Sequence, residues 1–474
     1  SGTLVADALN LSSAQITNSG LLQGTQALNL QTGQLDNLTG GTLYSARNLT
    51  FDIPDLTNGG LIATDGDLRL SGVSLSNAGE LSGVNLAVDY QTLTSTATGR
   101  LLADNALALS AGTLTSDGLL AAKNATITTD SLTNRGQIQG DEALTIAATD
   151  AANGGSLLTQ GTLALNGHTL QNTGLVSAAR LGLGYGRIIN GGTLQGSQTL
   201  TTTGDSLLNH QGGLLLSNGA LTLENQRLEN AGQLQGDTLN LATGEWINTG
   251  NVLAENGITA TVNGALDNEG RIVSQQALAV QAERVTNGGA LMAKVLALHG
   301  DLYNSGLLQG SQALTWDGVT FASSADGQTI AGDSMALQGQ DLTNEGLLAA
   351  KNLTLNTATL DNQGVLQGND RLTLNTRSLL NGSTGKLFSG STLDLDLDRL
   401  DNQGRFWVEG GLTLTGATAV NSGTLEAQAL DVNLSGALYN QGTLLADNAA
   451  HLRSATLTNS GDIAGQTVTL GAAD

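Results

Sequence analysis

Residues 342–356 read LTNEGLLAAKNLTLN, and this stretch carries the pattern on which the fold turns. Leu342, Asn344, Gly346 and Leu348 stand two apart, and Leu353 and Leu355 follow as a second pair separated by one residue. Period two is the spacing of a strand with one face buried. No segment keeps apolar residues at i, i+3, i+4 and i+7 over ten or more positions, so the chain reads as strand and not helix.

The same apolar-x-Asn-x-Gly-x-apolar motif recurs along the whole chain. It is ITNSGLL at Ile16–Leu22, LTNGGLI at Leu56–Ile62, and then LSNAGEL, LTNRGQI, LQNTGLV, LENAGQL, LDNEGRI, LDNQGVL, LDNQGRF and LTNSGDI. Its asparagines include Asn18, Asn58, Asn77, Asn134, Asn172, Asn230, Asn268, Asn344, Asn362, Asn402, Asn421 and Asn459. Further copies fall at Asn37, Asn153, Asn190, Asn209, Asn248, Asn287, Asn304, Asn381 and Asn440. Degenerate coils are expected near Thr98–Gly99, Ser116–Gly118 and Ser323–Gly327. About 23 steps of roughly 19 residues separate Asn18 from Asn459, the short-repeat regime of solenoids. An L-x-L pair often follows the glycine by about 8 to 10 residues, as at Leu28 and Leu30, Leu107 and Leu109, or Leu372 and Leu374.

Three short strands separated by polar corners describe one coil of a single-stranded parallel β-helix, here about 24 coils. Residues 1–474 are expected to form one continuous repeat array, a fragment of a longer protein, with no linker. Coils paired at ~4.8 Å would make a rod on the order of 110 Å long. The spacing drifts between 17 and 21 residues, whereas left-handed helices favour even hexapeptide faces, so a right-handed helix is expected. Each repeated residue has a physical cause. Glycine supplies the freedom of a tight corner. Asparagine tolerates the left-handed region and can bond its counterpart in the next coil. Leucine fills the interior. The single proline, Pro54, fits a chain whose strands must all donate N–H groups.

Composition narrows function. The net charge of −23 opposes binding to nucleic acid and docking on anionic lipid. With no cysteine there is no disulfide framework and no thiolate metal site. No run of 18 apolar residues exists, so no membrane insertion of this segment is expected. The opening SGTLVADALN has neither charged nor apolar signal regions, so no signal peptide is expected.

The reiterated L-x-N-x-G-x-L followed by L-x-L, as in ITNSGLLQGTQALNL and LTNEGLLAAKNLTLN, resembles the haemagglutinin repeats of filamentous-haemagglutinin-like exoproteins. These are large proteins of two-partner secretion systems in Gram-negative bacteria, including adhesins and contact-dependent growth-inhibition toxins. The resemblance implies a right-handed β-helix and export through an outer-membrane two-partner secretion transporter. It also implies display on the cell surface as a structural rod carrying an adhesive or toxin-delivery tip. It implies no catalytic residues and no cofactor. A target-cell receptor or glycan is a further partner it allows. The alternatives are a polysaccharide-cleaving β-helical enzyme and a passive spacer.

Among possible sites, two adjacent coils read GKLF and GRFW after their corner glycines. Leu387 and Phe406 should point inward, leaving Lys386, Phe388, Arg405 and Trp407 on one outer face, a candidate patch for sugar or protein. Asp394, Asp396 and Asp398 alternate with leucines and share a face. Such a face could do acid–base work or hold Ca²⁺, against the simpler reading of a solvated strand. His168, His210, His299 and His451 fall in different coils and read as surface residues. GSTGK at Gly382–Lys386 lacks phosphate-loop spacing, and Gly182, Gly184 and Gly186 read as a tight coil. The coil between Asn304 and Asn344, with Trp316 and Phe321, carries a two-residue insertion before Gly327 and is expected to bulge or simply to tolerate it.

Overall fold

Leucine columns organise the computed structural model, which describes residues 2–472. Strands make up 80% of it, with no helix among the described residues. The chain forms two compact units, residues 1–240 and 241–474. Each is a parallel β-solenoid with coils spaced near 19 residues, about 25 turns in the two together.

In the first unit, Glu80–Ser95 lies parallel to Arg100–Ser116. Leu81 meets Leu101, Leu86 meets Leu107, Val88 meets Leu109 and Leu93 meets Leu114, so like residues stack on like. All eight are at most 3% exposed. In the second, Leu353 stacks on Leu372 and Leu355 on Leu374 in the same way. Each fully buried leucine contributes roughly 1.5–3 kcal/mol gross, and a stacked array sums such terms coil by coil.

The three segments of a coil are less separate than the motif suggests. Arg100–Ser116 and Asn251–Asn268 run as single strands of 17 and 18 residues. Pairing to the neighbouring coil continues round the bends, and register slips at a bulge such as that between Gly83 and Asn85. Only the Asn-x-Gly corner regularly interrupts the strand. There the carbonyl of Asn58 accepts from both Ala78 N–H (2.7 Å) and Gly79 N–H (3.0 Å) of the next coil. Pro54 sits outside the strands, where its carbonyl accepts from Val73 and Ser74 at 2.8 Å.

Two expectations about the corner need correction. No non-glycine residue among those described has positive φ, so the asparagines do not use the left-handed region. Positive φ occurs at Gly40, Gly204, Gly212, Gly300 and Gly416, none of them the glycine of the Asn-x-Gly motif. That glycine is demanded by stacking. A Cβ on Gly174 would stand 2.1 Å from the carbonyl oxygen of Gly155, and one on Gly192 would stand 2.2 Å from that of Gly174. Coils approach so closely along this column that only hydrogen fits.

The spacing drift has a local cause. Five corners have four residues in place of two: Leu38–Gly41, Thr96–Gly99, His210–Gly213, Ser324–Gly327 and Gly382–Gly385. In each the glycine N–H donates back to the first corner carbonyl, at 2.8 to 2.9 Å. The irregular coil after Asn304 is one of these. Its Trp316 and Phe321 are buried edge to face with centroids 5.3 Å apart, and Trp316 Nε1 donates to Gly300 O.

Candidate binding surface

The corner asparagines face inward. In the first unit Asn18 donates through Nδ2 to Oδ1 of Asn37, Asn37 to Asn58 and Asn58 to Asn77, at 2.7–2.9 Å. A second run joins Asn134, Asn153, Asn172, Asn190, Asn209 and Asn230 over the same range. In the second unit the runs are Asn248 to Asn268, Asn287 and Asn304, then Asn344 to Asn362, Asn381, Asn402, Asn421, Asn440 and Asn459. Asn459 is exposed; the others are buried. Each amide is both donor and acceptor, which is what lets one residue type repeat without leaving a buried polar group unpaired.

The three degenerate coils expected near Thr98–Gly99, Ser116–Gly118 and Ser323–Gly327 keep the ladder position and fill it with serine. Ser95 and Ser116 stand in register between Asn77 and Asn134, and Ser323 stands between Asn304 and Asn344. Their hydroxyls are buried without a hydrogen-bond partner, as are Oδ1 of Asn134 and of Asn344, the first acceptors after each break. The signal was present: LTS at Leu93–Ser95 and Leu114–Ser116 repeats the L-x-N spacing with a shorter polar residue.

Outside, the clearest feature is in the second unit. Lys386 pairs in register with Arg405, Leu387 with Phe406 and Phe388 with Trp407. Leu387 and Phe406 are 2% and 1% exposed, whereas Trp407 is 38% exposed. The Phe388 and Trp407 rings lie 4.9 Å apart at 56°, and the Arg405 guanidinium sits 5.3 Å from the indole centroid. Arg405 also reaches Glu426 at 3.4 Å. Glu426 was missed in the sequence, although it stands three residues after Gly423 as Trp407 does after Gly404.

Asp394, Asp396 and Asp398 are all exposed on one strand, and Asp396 accepts from Thr415 at 3.2 Å. Among the described residues no group of three His, Cys, Asp or Glu side chains is placed to hold a metal ion. The four histidines are exposed, and His299 contacts Asp317. GSTGK is a four-residue corner and the start of the next strand. Gly182 and Gly184 lie within the strand Leu175–Asn190.

Haemagglutinin repeats match residues 1–52, 45–102, 237–306, 293–346, 322–371, 365–405 and 407–473. The chain belongs to the haemagglutinin-repeat family. The asparagine run from Asn134 to Asn230 carries the family's coil through the stretch between those matches. The chain is 35% identical over 491 residues to "Toxin CdiA" of Escherichia coli, covering 86% of this chain and 16% of that protein. It is 34% identical over 454 residues to "16S rRNA endonuclease CdiA" of Enterobacter cloacae subsp. cloacae, covering 90% and 12%. With "Deoxyribonuclease CdiA" of Dickeya dadantii it shares 33% over 443 residues, covering 92% and 12%. It therefore spans about one-eighth to one-sixth of the length of these relatives. No solved structure matches it.

Proposed function

We propose that this chain is a stretch of the shaft of a secreted Gram-negative surface exoprotein. The shaft holds an adhesive or toxic domain away from the cell after export through an outer-membrane two-partner transporter. The chain crosses unfolded and folds coil by coil outside, each coil adding its own buried leucines and amide, so that back-sliding is opposed.

One observation carries this reading. No connection between described strands exceeds four residues, as at Leu38–Gly41. A β-helical enzyme builds its substrate cleft from long loops over one face, and such loops have no place here. The relatives' names support the same view. They name different targets, an rRNA endonuclease and a deoxyribonuclease among them, yet share this region at a similar identity. A region common to them does not set the target, and a net charge of −23 disfavours contact with nucleic acid.

The test is excision of one coil, residues 154–172, from the parent exoprotein. A shaft tolerates the loss, with export and surface display retained and the displayed end drawn in by ~4.8 Å. Reducing-sugar release from bacterial or plant polysaccharides by the intact chain, abolished by the excision, would replace the shaft reading with an enzymatic one.

A further inference from the structure

The patch around Trp407 sets side by side two cations that nothing in the fold requires. Lys386 and Arg405 are register partners on adjacent coils, both exposed, in a chain of net charge −23. Like charges directly opposite each other on a sheet repel and lower stability. The Glu426 contact to Arg405 is a weak offset, at 3.4 Å with side chains 58% and 30% exposed. Beside the cations stand the tilted rings of Phe388 and Trp407. The outer face is rimmed by Gln367, paired with Phe388, and Glu426, paired with Trp407. Gln367 is half-buried and donates through its amide nitrogen to Asn369 at 2.6 Å, and its side-chain oxygen is an acceptor by chemistry.

We propose that Lys386, Phe388, Arg405 and Trp407 form a binding site for a carboxylated sugar, a uronate or sialate residue of a glycan. The C–H face of the sugar ring rests on the exposed indole and the half-buried phenyl ring beside it, as apolar faces do on aromatic platforms. Its carboxylate takes charge-assisted hydrogen bonds from Lys386 and Arg405, which relieves their mutual repulsion. Its hydroxyls donate to the Gln367 carbonyl and the Glu426 carboxylate. An acidic peptide could use the cations but offers no C–H ring face to lie on Phe388 and Trp407. Binding to this face does not depend on the shaft reading.

Trp407 gives the site its own reporter. The chain has three tryptophans, and Trp246 and Trp316 are 0% and 1% exposed, so emission accessible to the neutral quencher acrylamide belongs to Trp407. The experiment titrates the 474-residue chain with trigalacturonate and, separately, maltotriose, reading acrylamide quenching and calorimetric heat. Expected are saturable protection of Trp407 by trigalacturonate, weakening as salt is raised, and none by maltotriose. Lys386→Gln lowers affinity about fivefold, ~1 kcal/mol at about 1.4 kcal/mol per factor of ten. Trp407→Leu abolishes the heat with the far-UV spectrum unchanged. The proposal is overturned by no protection at ~10 mM trigalacturonate, by equal binding of maltotriose, by equal binding of inorganic phosphate or a short polyglutamate, or by full affinity in Lys386→Gln.

Discussion

A Cβ placed on Gly423 would stand 2.1 Å from the carbonyl oxygen of Gly404, its counterpart one coil earlier. Gly404 stands in the same relation to Gly385, at 2.2 Å. The corner glycines thus form a column in which backbone touches backbone. The obstacle is a main-chain atom of the preceding coil, Gly404 O, fixed by a 2.9 Å hydrogen bond from Thr424 N–H, and no side-chain rotation can clear it.

Gly423→Ala is therefore expected to destabilise its coil by roughly 1–3 kcal/mol, the usual penalty for overpacking. Gly182→Ala, where a Cβ would find its nearest neighbour at 3.9 Å, should stay within about 0.5 kcal/mol. Because long repeat arrays do not unfold as one unit, the measurement is amide hydrogen exchange at the flanking corners. Unchanged protection around Gly404 in the Gly423 variant would contradict the stacking account.

Removal of one ladder amide should cost more than its volume suggests. Asn402 accepts from Asn381 at 2.8 Å and donates to Asn421 at 2.8 Å and to Thr424 O at 3.2 Å. Asn402→Ala leaves Oδ1 of Asn421 buried without its donor, at about 1–3 kcal/mol. Protease sensitivity should rise at this coil and not at distant ones, as nearest-neighbour coupling requires.

Ser323→Asn should act in the opposite direction. The same four-residue corner length accommodates an asparagine at Asn37, Asn209 and Asn381. The introduced amide would supply Oδ1 of Asn344 with the donor it lacks. A gain of about 1 kcal/mol is expected, read as slower exchange at Gly327 and Glu345. A loss would mean that the shorter serine is fitted to the neighbouring Thr329.

Alkaline pH should weaken the first unit. Burial, followed by the nearby Asp52 and Asp55, raises the Tyr90 phenol well above its ordinary 10.0, and burial followed by Asp150 does the same for Tyr185. A group whose folded pKa is raised contributes stability in full below its unfolded pKa and loses it as pH climbs toward the folded value. The loss therefore begins near pH 10 and grows above it. Two of the five tyrosines should yield phenolate absorbance only as structure is lost. Tyr185→Phe should be neutral or stabilising, because its hydroxyl is buried without a partner. Tyr90→Phe removes a hydrogen bond to Ile53 O at 3.2 Å and should cost about 1 kcal/mol.

Much of the candidate patch was legible in the chain. Strand alternation after Gly385 and Gly404 is enough to send Leu387 and Phe406 inward and their neighbours outward. The tilt of Phe388 against Trp407 and the placement of Arg405 over the indole were not legible. They depend on side-chain torsions chosen between coils.

By itself the sequence determined the coil. Period-two leucines, the asparagine and the glycine recur within some 15 residues, and a one-residue slip would turn every leucine outward, so the local pattern sets the register. Tertiary structure alone decided what each repeated residue is for. Partners along a column are some 19 residues apart in the chain yet one strand spacing apart in space. Hence the glycine answers to a carbonyl in the coil before it. By the same contact Ser95, Ser116 and Ser323 count as ladder positions, and Lys386 finds another cation as its neighbour.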